Sequence, residues 1–354
     1  MSSAEAEELI QSSYRLTPFQ KVATLEKAID LADAAGDVEL AFRARQRLVS
    51  ASYYVPGSVE LLTSFSWLLA RHDEDPKRFP LRLWSYKWVL SALPKMTAIS
   101  LDQIENVMSD IERRFEALGQ GPAPALKLRM IIAMETGLPD AVREQLGPWR
   151  HALESRRSNL NDCRACDEAT HVNALLFIDE HAEALAVGEG HIAGRSRCST
   201  QPHYTLPRLI APAREHAPDG LATTIRKKGY RLVDGNPKFY ATIGNFVRDS
   251  LRQGQLDRAV DLIAKHRSWG DVSQDDISHW FFSSAARETL LRYRHLGKDL
   301  PNSLADTSGM GRSPEQVAEE LINQAEDLGA RFDTRNGNDW YREHLDADGA
   351  FATR

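Results

Sequence analysis

The chain has 354 residues, 42% hydrophobic and 27% charged, with a net charge of −6 and a pI near 6.0. That length suffices for two ordinary domains or one elongated repeat array, and the mild acidity excludes a global field that would gather nucleic acid or an anionic membrane. Three cysteines, an odd and small number, argue against an extracellular disulfide framework. No window approaches the roughly eighteen uninterrupted apolar residues of a membrane span. The opening "MSSAEAEELIQSSYRL" lacks the basic and apolar segments of a secretory leader. A cytoplasmic protein is the expectation.

Along the chain, apolar residues recur at spacings of three and four, while alternating β-branched runs are absent. In "FQKVATLEKAIDLADAAGD", Val22, Leu25, Ala28, Ile29 and Ala32 form one helical stripe, and Gly36 stands where a helix C-cap would. "VELAFRARQRLVSASYY" follows with Leu40, Ala41, Ala44, Leu48 and Ala51. An aromatic segment then places Phe65, Trp67, Trp84, Tyr86 and Trp88 close together. These side chains fill the space between wide helix pairs, or else they line a concave ligand groove.

Two later segments read as helix hairpins. Residues 170–194 carry Leu175 and Leu176 before a turn and Ala182, Leu185 and Ala186 after it. Residues 241–265 have Gly254 at the turn and Leu256, Ala259, Leu262 and Ile263 beyond it. Small residues such as Ala184 and Ala259 let two antiparallel helices approach closely. One such hairpin cannot bury its stripe alone, so neighbours must stack.

The "G-x-L-D-x-A-x-x-L" block from Gly254 to Leu262, echoed at Ala34–Ala44, resembles the tetratricopeptide repeat family, whose unit is a helix pair of about 34 residues. The family's Trp and Pro signature positions are mostly missing here. Over residues 18–300 the resemblance implies an all-α, right-handed solenoid of antiparallel hairpins, and a scaffold that grips a protein or peptide partner in its concave groove. The expected organisation is N-terminal hairpins over 1–160, repeats bearing a metal clip over 161–300, a Gly/Pro/Ser-rich linker over 301–313, and a capping helix with a frayed tail over 314–354. Ser313 is the expected cap of that helix, with Pro314 at its first position and Glu315 and Gln316 in its first turn.

The cysteines are concentrated. "NDCRACDEATH" holds Cys163 and Cys166, and "RSRCSTQPH" holds Cys198 ahead of His203. Two residues between cysteines put both sulfurs on one side of a tight turn, where one Zn²⁺ can take both; a tetrahedral site then needs two more ligands. Cys198 and His203 complete a C-x2-C-x31-C-x4-H pattern. The long interval is spanned by a helix running out over 167–178 and one returning over 180–194, joined by a turn near Asp179, which brings their far ends together. Other readings are ordinary semi-apolar cysteines and a reversible disulfide. Local competitors of His203 are His171, His191, Asp162 and Asp167. Without His203 a catalytic metal would keep an open position, with Glu168, Glu180, His171 or Asp167 as base. No "HExxH" or deaminase signature occurs.

The remaining motifs carry less. "GQGPAP" has no phosphate-cradling lysine, and "GEGHIAG" lies on a helical stripe. "TTIRKKGYRL", with Arg226, Lys227, Lys228 and Arg231, is the most basic stretch; it is expected to form a solvated face toward "QLDRAVDL" rather than a nucleic-acid surface. The functions left are an interaction scaffold with a structural zinc, a redox- or zinc-responsive switch, and a metal-dependent enzyme with a small substrate.

Overall fold

In the computed structural model, which describes residues 2–52, 55, 59–155, 157–273, 275–305 and 311–346, every element is helical. No described helix is long and apolar enough to cross a membrane. The chain divides into two compact units, Met1–Leu93 with Ser273–Asp275, and Pro94–Val272 with Asp276–Arg354.

The first unit contains α1 (Ser2–Ser12), α2 (Pro18–Ala34), α3 (Val38–Ser52), α4 (Val59–Glu74) and α5 (Leu83–Ala92). The stripes read from the sequence on α2 and α3 are all buried. Between them Gly36 adopts φ +67°, a conformation an L side chain resists, so the chain reverses there. The aromatic segment is divided: Phe65 and Tyr86 are buried and pack together at 4.8 Å, and Phe79 packs on Phe42 at 5.1 Å, while Trp67, Trp84 and Trp88 are half-buried. Trp67, half-buried, is flanked by the guanidinium groups of Arg45 and Arg71.

The second unit contains α6 (Leu101–Ala117), α7 (Ala123–Glu135), α8 (Pro139–Ser155), α9 (Arg164–Phe177), α10 (His181–Ala193), α11 (Thr205–Arg208), α12 (Ile210–His216), α13 (Leu221–Val233), α14 (Tyr240–Arg252), α15 (Leu256–His266), α16 (Asp276–His295), α17 (Pro314–Asn336) and α18 (Trp340–Asp346). Its core runs from Ala123 to Leu345 and is anchored by Trp149, Trp280, Phe282 and Phe332. Adjacent helices pair as α7 with α8, α9 with α10, and α14 with α15. Ala184 and Ala259 are completely buried at two of these contacts. Gly244 makes a still closer approach: a Cβ there would stand 2.6 Å from the Phe281 carbonyl oxygen of α16.

After Cys198 the chain forms two short helices, one from Thr205 and one from Ile210, instead of a single long one. Pro207 and Pro212 lack the N–H groups that would bond the carbonyls of His203 and Arg208. The ladder therefore skips the His203 carbonyl, although the Leu206 N–H still reaches the Pro202 carbonyl at 3.0 Å, and it breaks at Leu209.

Helix α17 begins as expected, with Ser313 Oγ accepting from the Gln316 N–H at 3.3 Å and Gln316 Oε1 accepting from the Ser313 N–H at 2.8 Å. Parts of the expected linker and tail, 306–310 and 347–354, lie outside the described residues. The end of the unit returns to its beginning. Buried Asp333 accepts the N–H groups of Tyr341 and Arg342 at 2.8 and 2.9 Å. From there the Tyr341 hydroxyl donates to the Glu135 carbonyl, and Asn338 donates to the Thr136 carbonyl. Arg335 donates to the carbonyls of Met96 and Pro94.

Candidate metal centre

Helix α9 is entered through Cys163, whose carbonyl accepts the N–H groups of both Cys166 and Asp167 at 3.0 Å. The helix ends at Phe177, and Asp179 takes φ +67°, reversing the chain into α10 at the expected turn. Helix α10 closes at Gly194 with φ +80°, and Cys198 follows. The hairpin thus returns the third cysteine to the first two. The Sγ atoms of Cys163, Cys166 and Cys198 all lie within 4.8 Å of one another, and the Cys166–Cys198 pair is 3.4 Å apart. A disulfide bond would be about 2.05 Å long, whereas thiolates on one tetrahedral zinc stand about 3.8 Å apart, from bonds of about 2.3 Å. The three sulfurs form a group that can hold a metal ion.

The third sulfur is set by a tight turn in which the Cys198 N–H donates to the Gln201 carbonyl at 2.9 Å, and the Thr200 N–H donates to Cys198 Sγ at 3.4 Å. Thr200 Oγ1 is 3.4 Å from Cys198 Sγ and 3.8 Å from Cys166 Sγ. Burial pushes the Cys198 thiol up, but the Thr200 hydroxyl and N–H, Cys166 and the Gln201 backbone outweigh it and bring the thiol down to about 7. Burial, with Cys198 and Cys163 beside it, raises Cys166.

Buried Lys127 of α7 holds this corner in place. Its Nζ lies 2.6 Å from Asp162 and 2.8 Å from Asp167, the residues beside Cys163 and Cys166. Arg157 adds a second contact to Asp167 at 2.6 Å and donates to the Asp162 carbonyl. Asp162 and Asp167 are therefore engaged by cations. The sequence reading missed Lys127; its only local sign was a lone lysine in the apolar run "APALKLRMIIAME".

The histidines are placed individually. His203 is outside the three-sulfur group; its ring stacks flat on Phe239, with centroids 5.0 Å apart and planes 5° apart, and its buried Nδ1 has no hydrogen-bond partner. Burial keeps it neutral, against the pull of the Thr200 backbone. His191 Nδ1 donates to the Ser196 carbonyl at 2.9 Å. His171 packs edge-on against Trp149 and is pushed down to about 4, first by burial and then by Arg150. Of the expected bases, Glu168 accepts from the Ser196 hydroxyl.

A second group with metal-ligand chemistry, His181, Glu215 and His216, sits where α10 begins and α12 ends. Glu215 Oε2 is 3.3 Å from His181 Nδ1 and 3.7 Å from His216 Nε2, and Glu215 and His216 are exposed. No protein-family model, no curated protein and no solved structure matches this chain.

Proposed function

We propose that the chain is a helical interaction scaffold, with hairpins stacked as a right-handed solenoid like that of tetratricopeptide repeats, and that a structural zinc clips the α9–α10 hairpin. The convergence of the three sulfurs carries the zinc reading. Three thiolates at these separations suit a tetrahedral Zn²⁺, and sulfur-rich sites of this kind fix structure rather than bind substrate. We assign the fourth position to His203, whose Nδ1 is buried, neutral and unpartnered five residues beyond Cys198. The scaffold reading is supported by the Gly254–Leu262 block: Gly254 turns the chain at φ +69°, and Leu256, Ala259 and Leu262 are buried. A protein or peptide partner is the ligand such an array takes.

Metal analysis of protein purified under reduction tests the centre. One zinc per chain is expected, and Cys163→Ser, Cys166→Ser and Cys198→Ser should each lose it and melt lower. His203→Ala should weaken binding without abolishing it. Reduced protein free of zinc would overturn the clip. The switch reading draws on the 3.4 Å approach of Cys166 to Cys198; mild peroxide that ejects zinc and links these two would favour it. A variant that keeps zinc and melting temperature but loses a turnover would favour an enzyme.

A further inference from the structure

The basic stretch of α13 does not form the simple solvated face its sequence predicts. Arg226, Lys227, Tyr230 and Arg231 line a cavity of about 170 Å³ with Phe246 and Ser250 of α14 and Arg258 and Leu262 of α15. The facing "QLDRAVDL" contributes Arg258 and Leu262 here, while its Asp257 is held by Lys298 at 2.5 Å and by the Tyr293 hydroxyl. Like charges therefore converge.

Arg226 is the centre of this arrangement. Its side chain is only 13% exposed, and its Nε and Nη1 are buried without a hydrogen-bond partner. The nearest carboxylate, Asp249, is 3.6 Å from Arg226 Nε. Asp249 already receives Arg214 Nε at 2.5 Å and Gln253 Nε2 at 2.9 Å, and Arg214 Nη2 is itself buried and unpartnered. Lys227, Arg231 and Arg258 make no ion pair among the described residues. Arg214 and Arg226 thus share one carboxylate, while Lys227, Arg231 and Arg258 line the same cavity as Arg226. A buried guanidinium with open donors is costly unless an anion meets it.

The other polar groups are already occupied. The Tyr230 hydroxyl pairs with His266 Nε2 at 2.9 Å and accepts from Lys265, and the Ser250 hydroxyl donates to the Phe246 carbonyl. What remains open is positive charge at the rim and an apolar wall of Phe246, Leu262 and the Tyr230 ring, which meets Phe246 edge-on at 5.3 Å. Guanidinium groups suit tetrahedral oxyanions, and several cations favour a dianion over a carboxylate.

We propose that this cavity binds a phosphate monoester carried on an aromatic or apolar stem, the phosphate on Arg226, Arg258 and the rim cations and the stem on Phe246 and Leu262. The inference names one ligand subsite of the proposed scaffold. It shares no residue with the cysteine site, so its failure would leave the zinc content and the zinc reading untouched.

Calorimetry on the full-length, reduced, zinc-loaded chain at low salt tests it with phenyl phosphate, inorganic phosphate and benzoate. Phenyl phosphate should bind at least tenfold tighter than the other two. Arg226→Gln should weaken it tenfold or more, and Arg258→Gln, at an exposed residue without an ion pair, several-fold with an unchanged melting temperature. Phenyl phosphate binding no tighter than benzoate, or equally to wild type and Arg258→Gln, would overturn the proposal. A phosphotyrosine peptide that binds tighter than phenyl phosphate, while its unphosphorylated twin does not, identifies a phosphorylated protein as the source. A peptide that binds no tighter than phenyl phosphate identifies a small phosphate ester.

Discussion

Replacing Lys127 by Met tests how the cysteine corner is held. The lysine is 5% exposed, with Asp167 6% and Asp162 25% exposed at its Nζ. Burial works against its charge, but Asp162 and Asp167 prevail and raise its pKa above the ordinary 10.5. A raised folded value means that this stabilisation is complete below pH 10.5 and is lost only as pH rises through the folded value. At neutral pH all of it is present. Removing one partner of a buried ionic group costs about 3–5 kcal/mol, because the remaining charges stay buried. Arg157 still meets Asp167, which places the expected loss near the lower end, about 3 kcal/mol. For a domain of this size that corresponds to a fall of about 6–12 °C in melting temperature. Urea and thermal unfolding followed by circular dichroism, in reducing buffer with zinc, measure it. Lys127→Met/Asp162→Asn/Asp167→Asn should recover most of the loss, since it removes the stranded charges. A single variant within about 1 kcal/mol of wild type, or a triple variant no better than the single, would refute the account.

Gly244→Ala should destabilise by about 2 kcal/mol: crowding against the Phe281 carbonyl, a backbone atom that cannot turn aside, costs about 3, less the roughly 1 kcal/mol that alanine gains over glycine in a helix. An unchanged urea midpoint would show that α14 and α16 do not meet that closely. Burial holds His171 and His266 down to about 4, with Arg150 and Lys265 adding to it respectively. Their folded values lie below the unfolded value of about 6.5, so stability is complete above that pH and falls as pH drops toward 4. Each histidine should account for about 2 kcal/mol between pH 6.5 and about pH 5. His266→Phe should flatten its share, and a slope identical to wild type would exclude this cause.

The zinc-site expectation shows where sequence reasoning carries far. Helical period, the reversal at Asp179 and the glycine after α10 are local properties, and together they fix that Cys198 returns to Cys163 and Cys166. Local stripes likewise gave the buried faces of α2, α3 and α15. Lys127 was not legible, because its partners stand 35 and 40 residues away and helical spacing does not say which neighbour it faces. The cavity around Arg226 was hidden for the same reason: Arg231 and Arg258 converge only once three helices pack. The break at Leu209 was legible in principle from Pro207 and Pro212.

The return of α18 to the end of α7 bears on how the protein is made. Synthesis delivers α6 and α7 first, with Glu135, Thr136 and Gly137 waiting for Asn338, Trp340 and Tyr341. The second unit can close only after α18 has emerged, so a ribosome that stops before it releases an incomplete fold. Because Arg335 also reaches Pro94 and Met96, the two ends of this unit are neighbours. Joining them and opening the chain at an outer turn such as Gly254 would keep the helix pairs of the unit, at the loss of that turn's own hydrogen bonds, while reversing the order in which its halves are born.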